Sequence, residues 1–324
     1  MFPLSRTCRF AALACGLAAG TALLAQSAAM PPPFTASPAL AALAHRAAAG
    51  AFTTFRDAKL LPDELALTVV DVSQPDRPTY ASVRGDVPIY PASVIKLFYL
   101  AAAHHWLDTG KIEDTAELRR ALRDMIVDSS NDATHYVIDL LTGTTSGPEL
   151  SADAITVWFE QRNAVNRYFA GLGYTGINAN KKPWGDGPYG RETQATRLFE
   201  QKRNMLTTDA TARLLVEIAT GRCVTAARCA EMMTLLSRTP SGPEADEQAR
   251  FTGPALPPGS KLWSKAGWTS QTRHDAAYIE LPGGPKFVLV CFTTNHAKET
   301  TIIATVARTI AEGLMNSEAR KPGR

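Results

Sequence analysis

Ser93-Val94-Ile95-Lys96 decides how the rest of this chain is read. The apolar run Leu97-Phe98-Tyr99-Leu100 continues it, so the segment predicts a buried helix. Positions three apart share a helix face, which sets the Lys96 amine beside the Ser93 hydroxyl. A serine is a poor nucleophile until a neighbour takes its proton. A lysine can do that when burial or nearby positive charge lowers its pKa. Alone, such a pair recurs by chance about once in a few hundred residues. Its company carries the argument.

Two further groups follow in order. Ser129-Ser130-Asn131 opens a predicted helix, and Lys265-Ala266-Gly267 ends a predicted strand and is followed by Trp268. Taken singly, Ser129 or Asn131 reads as a helix N-cap, Lys265 as a solvated charge at a strand end and Gly267 as a bulge.

Periodicity places these groups in a fold. Strand patterns at Leu65–Val72 and Tyr80–Val83 flank the turn-forming Gln74-Pro75-Asp76-Arg77-Pro78. Strands return at Lys261–Lys265, Ala276–Leu281 and Phe287–Thr293, followed by a helix over Glu299–Met315. Helical spacing fills much of the interval, over Glu117–Val127, Ala133–Leu141, Ser151–Gly171 and Thr208–Ala219, after an alanine-rich helix over Pro38–Arg56. Tyr174–Asn204, rich in Gly, Pro, Asn and Lys, reads as a long functional or lid-like loop. The expectation is an α/β (α+β) fold. An antiparallel sheet built from both terminal segments is flanked by helices, and an all-helical lobe is inserted between them. The α/β lobe spans about 38–92 and 259–324, the helical lobe about 93–258, and Ser93 lies in the cleft at their junction.

In this order, S-x-x-K, S-x-N and K-[ST]-G resemble the penicillin-recognising serine hydrolases, the class A β-lactamases and D,D-peptidases, over about residues 40–315. The resemblance implies the β-lactamase/transpeptidase-like fold and an acyl-enzyme mechanism. Ser93 would attack the amide carbonyl, Lys96 would take or relay its proton, and Ser129 would protonate the leaving nitrogen. Asn131 would hold a substrate amide and orient Lys96. The N–H groups of Ser93 and Trp268 would form an oxyanion hole, with Gly267 allowing close approach of substrate.

The chain departs from that pattern at three places. Ala266 stands where Thr or Ser usually helps bind a carboxylate. Thr269, Ser270 and Arg273 are nearby, and Arg273 is either a bidentate carboxylate ligand or a surface arginine. Only 36 positions separate Ser93 from Ser129, which removes a wall of the cleft, whereas 136 separate Ser129 from Lys265. The Glu-x-x-Leu-Asn loop that supplies the deacylating base in class A enzymes is absent. Asp186 and Glu192 lie in the corresponding loop, either as a base or as solvated charges. Three functions follow: hydrolysis of a β-lactam or related amide, D-alanyl-D-alanine carboxypeptidase or endopeptidase action on peptidoglycan stems, or non-catalytic ligand binding. A Ser-His-Asp hydrolase competes poorly, because Gly-x-Ser-x-Gly is absent, although His274 beside Asp275 is worth inspection.

The chain of 324 residues carries a net charge of +3 without a dense basic block, so neither nucleic acid nor an anionic membrane is an expected partner. The expected partner is a small-molecule β-lactam or a stem peptide, met by a monomer with no cofactor and no metal; no zinc-ligand spacing occurs. Residues 1–29 read as a signal peptide: Arg6 and Arg9, an apolar run from Phe10 to Ala25, then small residues near Ser27–Ala29. Export to the periplasm or beyond is therefore expected, with lipidation at Cys15 as the minor alternative. In an exported chain Cys223 and Cys229 form either a short-loop disulfide or two separate buried thiols, and Cys291 is a core residue.

Overall fold

A computed structural model describes residues 34–319; the expected signal peptide, with Arg6, Arg9, Cys8, Cys15 and the expected cleavage region, lies outside the described residues. β1 (Thr35–Ala36) leads into α1 (Pro38–Thr54), whose N-cap Ser37 accepts a hydrogen bond from the Leu40 amide. β2 (Leu65–Asp71) and β3 (Thr79–Val83) form the expected hairpin. A 3-10 turn at Ala92–Ile95 then runs straight into α2 (Lys96–Asp108). The helical lobe continues through α3 (Ala116–Ile126), α4 (Asn131–Thr142), α5 (Ala152–Arg162), α6 (Ala164–Gly171), α7 (Gly190–Leu198), α8 (Thr208–Ala219) and α9 (Ala226–Leu236). The chain returns through β4 (Ser237–Arg238), β5 (Lys261–Trp268), β6 (Arg273–Glu280) and β7 (Lys286–Thr293), and α10 (Ile302–Ala319) closes the described part.

The sheet order is β1-β3-β2-β7-β6-β5-β4, antiparallel throughout except for β1 against β3. β7 pairs with β2 on one side and β6 on the other, which fuses the two terminal segments into one sheet. Alternation along the strands sorts the side chains. Val70, Val288, Val290 and Phe292 face the helical lobe, while Leu67, Val69, Leu289 and Cys291 face α1 and α10. Both faces of β7 are therefore buried, which accounts for its unbroken apolar sequence. α2 is apolar on nearly every side and sits inside the helical lobe, as such a helix must. Lys96 is the charged residue buried in that helix, with no exposed surface.

Some elements differ from the sequence expectation. Ser151–Gly171 divides at Asn163 into two helices, and Arg162 at the joint is fully buried. The long loop contains a helix of its own, α7. Ser93 lies on the 3-10 turn before α2 and not within the α-helix. The disulfide alternative is not realised. Cys223 and Cys229 are free thiols, the first packed at the core margin after α8 and the second buried on α9. Among the described residues, no helix is long and apolar enough to cross a membrane.

Candidate active site

Three segments converge on one hydroxyl. Lys96 opens α2, and its Nζ donates to the Ser129 carbonyl oxygen at 2.5 Å, to Asn131 Oδ1 at 2.9 Å and to Ser129 Oγ at 3.3 Å. Lys265, on β5, donates from the other side to the same Ser129 Oγ at 2.9 Å. A serine hydroxyl has two acceptor lone pairs and one proton, so Ser129 can receive both lysines and still donate outward. None of these hydrogen bonds reaches half-buried Ser93, whose side chain lies three residues before Lys96.

Backbone strain marks both serine segments. Ser129 has φ of 55° and Ala92, just before Ser93, has φ of 46°, in the left-handed region that non-glycine residues avoid. Such strain costs on the order of 1–3 kcal/mol and collects at functional sites. At Ser129 the consequence is visible: its carbonyl and its hydroxyl both turn toward Lys96. The helix cap of α4 is neither Ser129 nor Asn131 but Ser130, whose Oγ accepts from the Ala133 amide. Ser129 is thereby released from capping.

Gly267 brings β5 against the Ser93 turn. A Cβ at this position would lie 2.7 Å from the Pro91 carbonyl oxygen, 2.8 Å from the Ser93 nitrogen and 2.9 Å from the Val94 nitrogen. Only a residue without a side chain permits that approach. Ala266 is fully buried and pairs with Asp275 of β6, whose Oδ2 accepts from Thr252.

Burial sets the protonation of the lysines. Desolvation lowers the Lys96 pKa from 10.5 to about 7. Lys265 is held well below its ordinary value, first by burial and then by the charges of Lys96 and Arg238, with Asp275 opposing. His274 has no acid–base role here. The Thr293 amide donates to its Nδ1, so Nε2 carries the proton and donates to the Tyr90 carbonyl; burial lowers its pKa to about 4.

Arg273, at the start of β6, pairs with Trp268 across the sheet. Its guanidinium lies 4.3 Å over the Phe251 ring and lines a cavity of about 460 Å³ with Trp268, Phe251 and Arg250. A carboxylate ligand could be met there. The two candidate bases are placed differently. Asp186 is exposed in the loop before α7. Glu192 is buried, and its carboxylate accepts from Arg162 at 2.8 and 3.2 Å and from Ser146 Oγ at 2.9 Å. Lys182, 3.9 Å from Glu192, pairs with Asp139, eight positions beyond Asn131 on α4. That is about 12 Å along the helix axis. The loop also packs on α4, with His135 Nε2 2.6 Å from the Pro183 carbonyl and the His135 ring 4.5 Å from Trp184. Sequence reasoning missed Gln248, a buried residue bonded to Lys265 Nζ at 2.6 Å.

With this geometry in place, the sequence model of the β-lactamase enzyme family matches residues 60–314. The chain belongs to that family. Similar solved structures agree in fold. A β-lactamase from Sphaerobacter thermophilus has a TM-score of 0.60 and 20% identity, over 86% of this chain and 98% of its own. A β-lactamase from Xanthomonas campestris has a TM-score of 0.62 and 14% identity, over 84% and 98%. PBP-A has 0.60 and 18%, over 88% and 99%. No curated protein matches the chain in sequence.

Proposed function

We propose that this family member is a serine acyl-transfer enzyme acting on a β-lactam or related amide, with Ser93 as nucleophile. The observation that carries the reading is the pair of buried lysines on Ser129 Oγ, one of them Lys96 with a pKa near 7. In its neutral form Lys96 accepts the Ser93 proton as the Ser93 oxygen bonds to the carbonyl carbon. The amide C–N bond then breaks, and Ser129 passes a proton to the leaving nitrogen and is reprotonated from the lysines. The Ser93 and Trp268 N–H groups hold the developing oxyanion, and Asn131 and Arg273 bind the substrate amide and carboxylate. The hydrogen bond from the Ser93 hydroxyl to Lys96 Nζ forms with substrate, as catalytic contacts often tighten only in the complex.

The deacylation half favours a second reading, that of a penicillin-binding D,D-peptidase. Glu192 is engaged by Arg162 and Ser146 and belongs to a buried ion-pair cluster, so it supports no free base for water. One similar structure is described as an acyl-enzyme complex of a PBP-A mutant with penicillin G. Export to the periplasm and action there as a monomer fit this role. Intact-protein mass over time with a penicillin and a chromogenic cephalosporin tests it, beside Ser93→Ala. A lasting adduct on the wild type alone supports the peptidase reading, and a transient adduct with accumulating product supports β-lactamase action. No adduct with any β-lactam removes the substrate assignment.

A further inference from the structure

Gln248 lies on a 3-10 turn at Glu247–Arg250, 4% exposed, between the segment that delivers Ser129 and the strand that carries Lys265. Its Nε2 donates to the Ile126 carbonyl at 2.8 Å and to the Val127 carbonyl at 2.7 Å. Its Oε1 accepts from Lys265 Nζ at 2.6 Å and from the Ala266 amide at 3.3 Å. The partners leave the amide only one orientation, because carbonyls accept only and an ammonium donates only. A glutamate there would set a carboxylate against two carbonyl oxygens. A methionine of similar length would make none of the four bonds.

We propose that Gln248 is a positioning residue of the acyl-transfer site, one that holds Lys265 in its charged form on Ser129 Oγ by tying β5 to the turn after α3. The inference rests on the acyl-transfer reading for its kinetic consequence but not for its electrostatic one. Lys265 Nζ donates to Ser129 Oγ at 2.9 Å, to Gln248 Oε1 at 2.6 Å and to the Ala266 carbonyl at 2.9 Å. Three acceptors can take the three protons of an ammonium, and the Gln248 oxygen is the nearest of them. Lys96 from α2 and Arg238 from β4 face the same ammonium and oppose its charge, while Asp275 from β6 favours it. Gln248 supplies an acceptor to this ammonium that adds no net charge. The other end of the same amide fixes the turn from which Ser129 projects.

Two variants test this through opposite shifts. In Gln248→Met the ammonium loses an acceptor, so Lys265 titrates at lower pH and acylation slows at least about tenfold, the scale of a displaced catalytic group. In Gln248→Glu a carboxylate faces Lys265, so Lys265 titrates at higher pH and the alkaline limb of acylation moves up with it. The titration is followed by 13Cε-lysine NMR, with the Lys265 signal assigned from its absence in Lys265→Arg. Acylation is followed by adduct mass over a pH series, and circular dichroism checks both folds. If the Met variant does not fold, the direction of the Glu variant's shift decides. Identical Lys265 titration in wild type and variants, with acylation unchanged, overturns the proposal. If the wild type forms no adduct, the acyl-transfer reading fails, and the Lys265 titration still decides the role of Gln248.

Discussion

Lys96 offers the sharpest prediction, because one residue links pH, stability and acylation. Burial lowers its pKa from 10.5 to about 7. At pH 7 about half the molecules then carry the neutral amine, against about one in three thousand for an unperturbed lysine. The rate of Ser93 acylation should follow the neutral fraction. It should fall about tenfold from its plateau at pH 6 and about a hundredfold at pH 5. Lys96→Arg stays charged at all these pH values and should lose about two to four orders of magnitude throughout. Stability provides a check independent of substrate. The folded-state pKa lies below the unfolded value, so between about pH 7 and pH 10.4 the unfolded chain binds the extra proton and stability rises with pH. The destabilisation is complete below about pH 7, amounts to about 5 kcal/mol at most and vanishes above the unfolded pKa. Lys96→Met should therefore gain most over the wild type at pH 6 and converge on it near pH 10.5. Urea unfolding at several pH values measures this, and burst-phase acylation by a chromogenic cephalosporin gives the rate profile. Acylation that stays flat from pH 5 to pH 8, with a Met variant whose stability gap ignores pH, would refute the reasoning.

Other expectations follow from single contacts. Gly267→Ala puts a methyl within 2.7–2.9 Å of Pro91 and the Ser93 and Val94 nitrogens, so β5 must retreat from the Ser93 amide. Acylation should fall about a hundredfold, the usual effect of about 1 Å of misplacement, as read by adduct mass at short times. Glu192→Ala leaves Arg162 buried and without its bidentate partner, which should cost about 3–5 kcal/mol in urea unfolding. Glu192→Gln should leave the deacylation rate within about threefold of the wild type, below the usual contribution of a general base. A loss of two orders of magnitude at unchanged stability would make Glu192 the base after all. Ser129→Ala should slow acylation and also lower the strain at position 129 only slightly, since alanine too avoids left-handed φ; its adduct kinetics beside unchanged circular dichroism check this.

The cluster of Lys96, Ser129, Asn131 and Lys265 was legible in the sequence, and the engagement of Glu192 was not, for a physical reason. Ser93, Lys96, Ser129, Asn131 and Lys265 are types that proton transfer and charge binding demand, and they fall in an order that periodicity places at helix starts and a strand end. The central sheet was legible because burial on both faces writes an unbroken apolar run into strands such as Phe287–Thr293. Glu192 was ambiguous because its fate depends on Arg162, thirty positions away and at a helix joint that the continuous pattern over Ser151–Gly171 conceals. The left-handed Ala92 and Ser129 carry no sequence mark, since the residue types that signal positive φ are glycine and asparagine. Gln248 was hidden for the same kind of reason as Glu192: its partners lie 122 and 17 positions away, and a lone glutamine in a loop reads as solvated. Local chemistry can thus be read from residue type, whereas the choice between a free and an engaged carboxylate is a tertiary fact. Here Glu192 is the engaged carboxylate, held by Arg162 and Ser146.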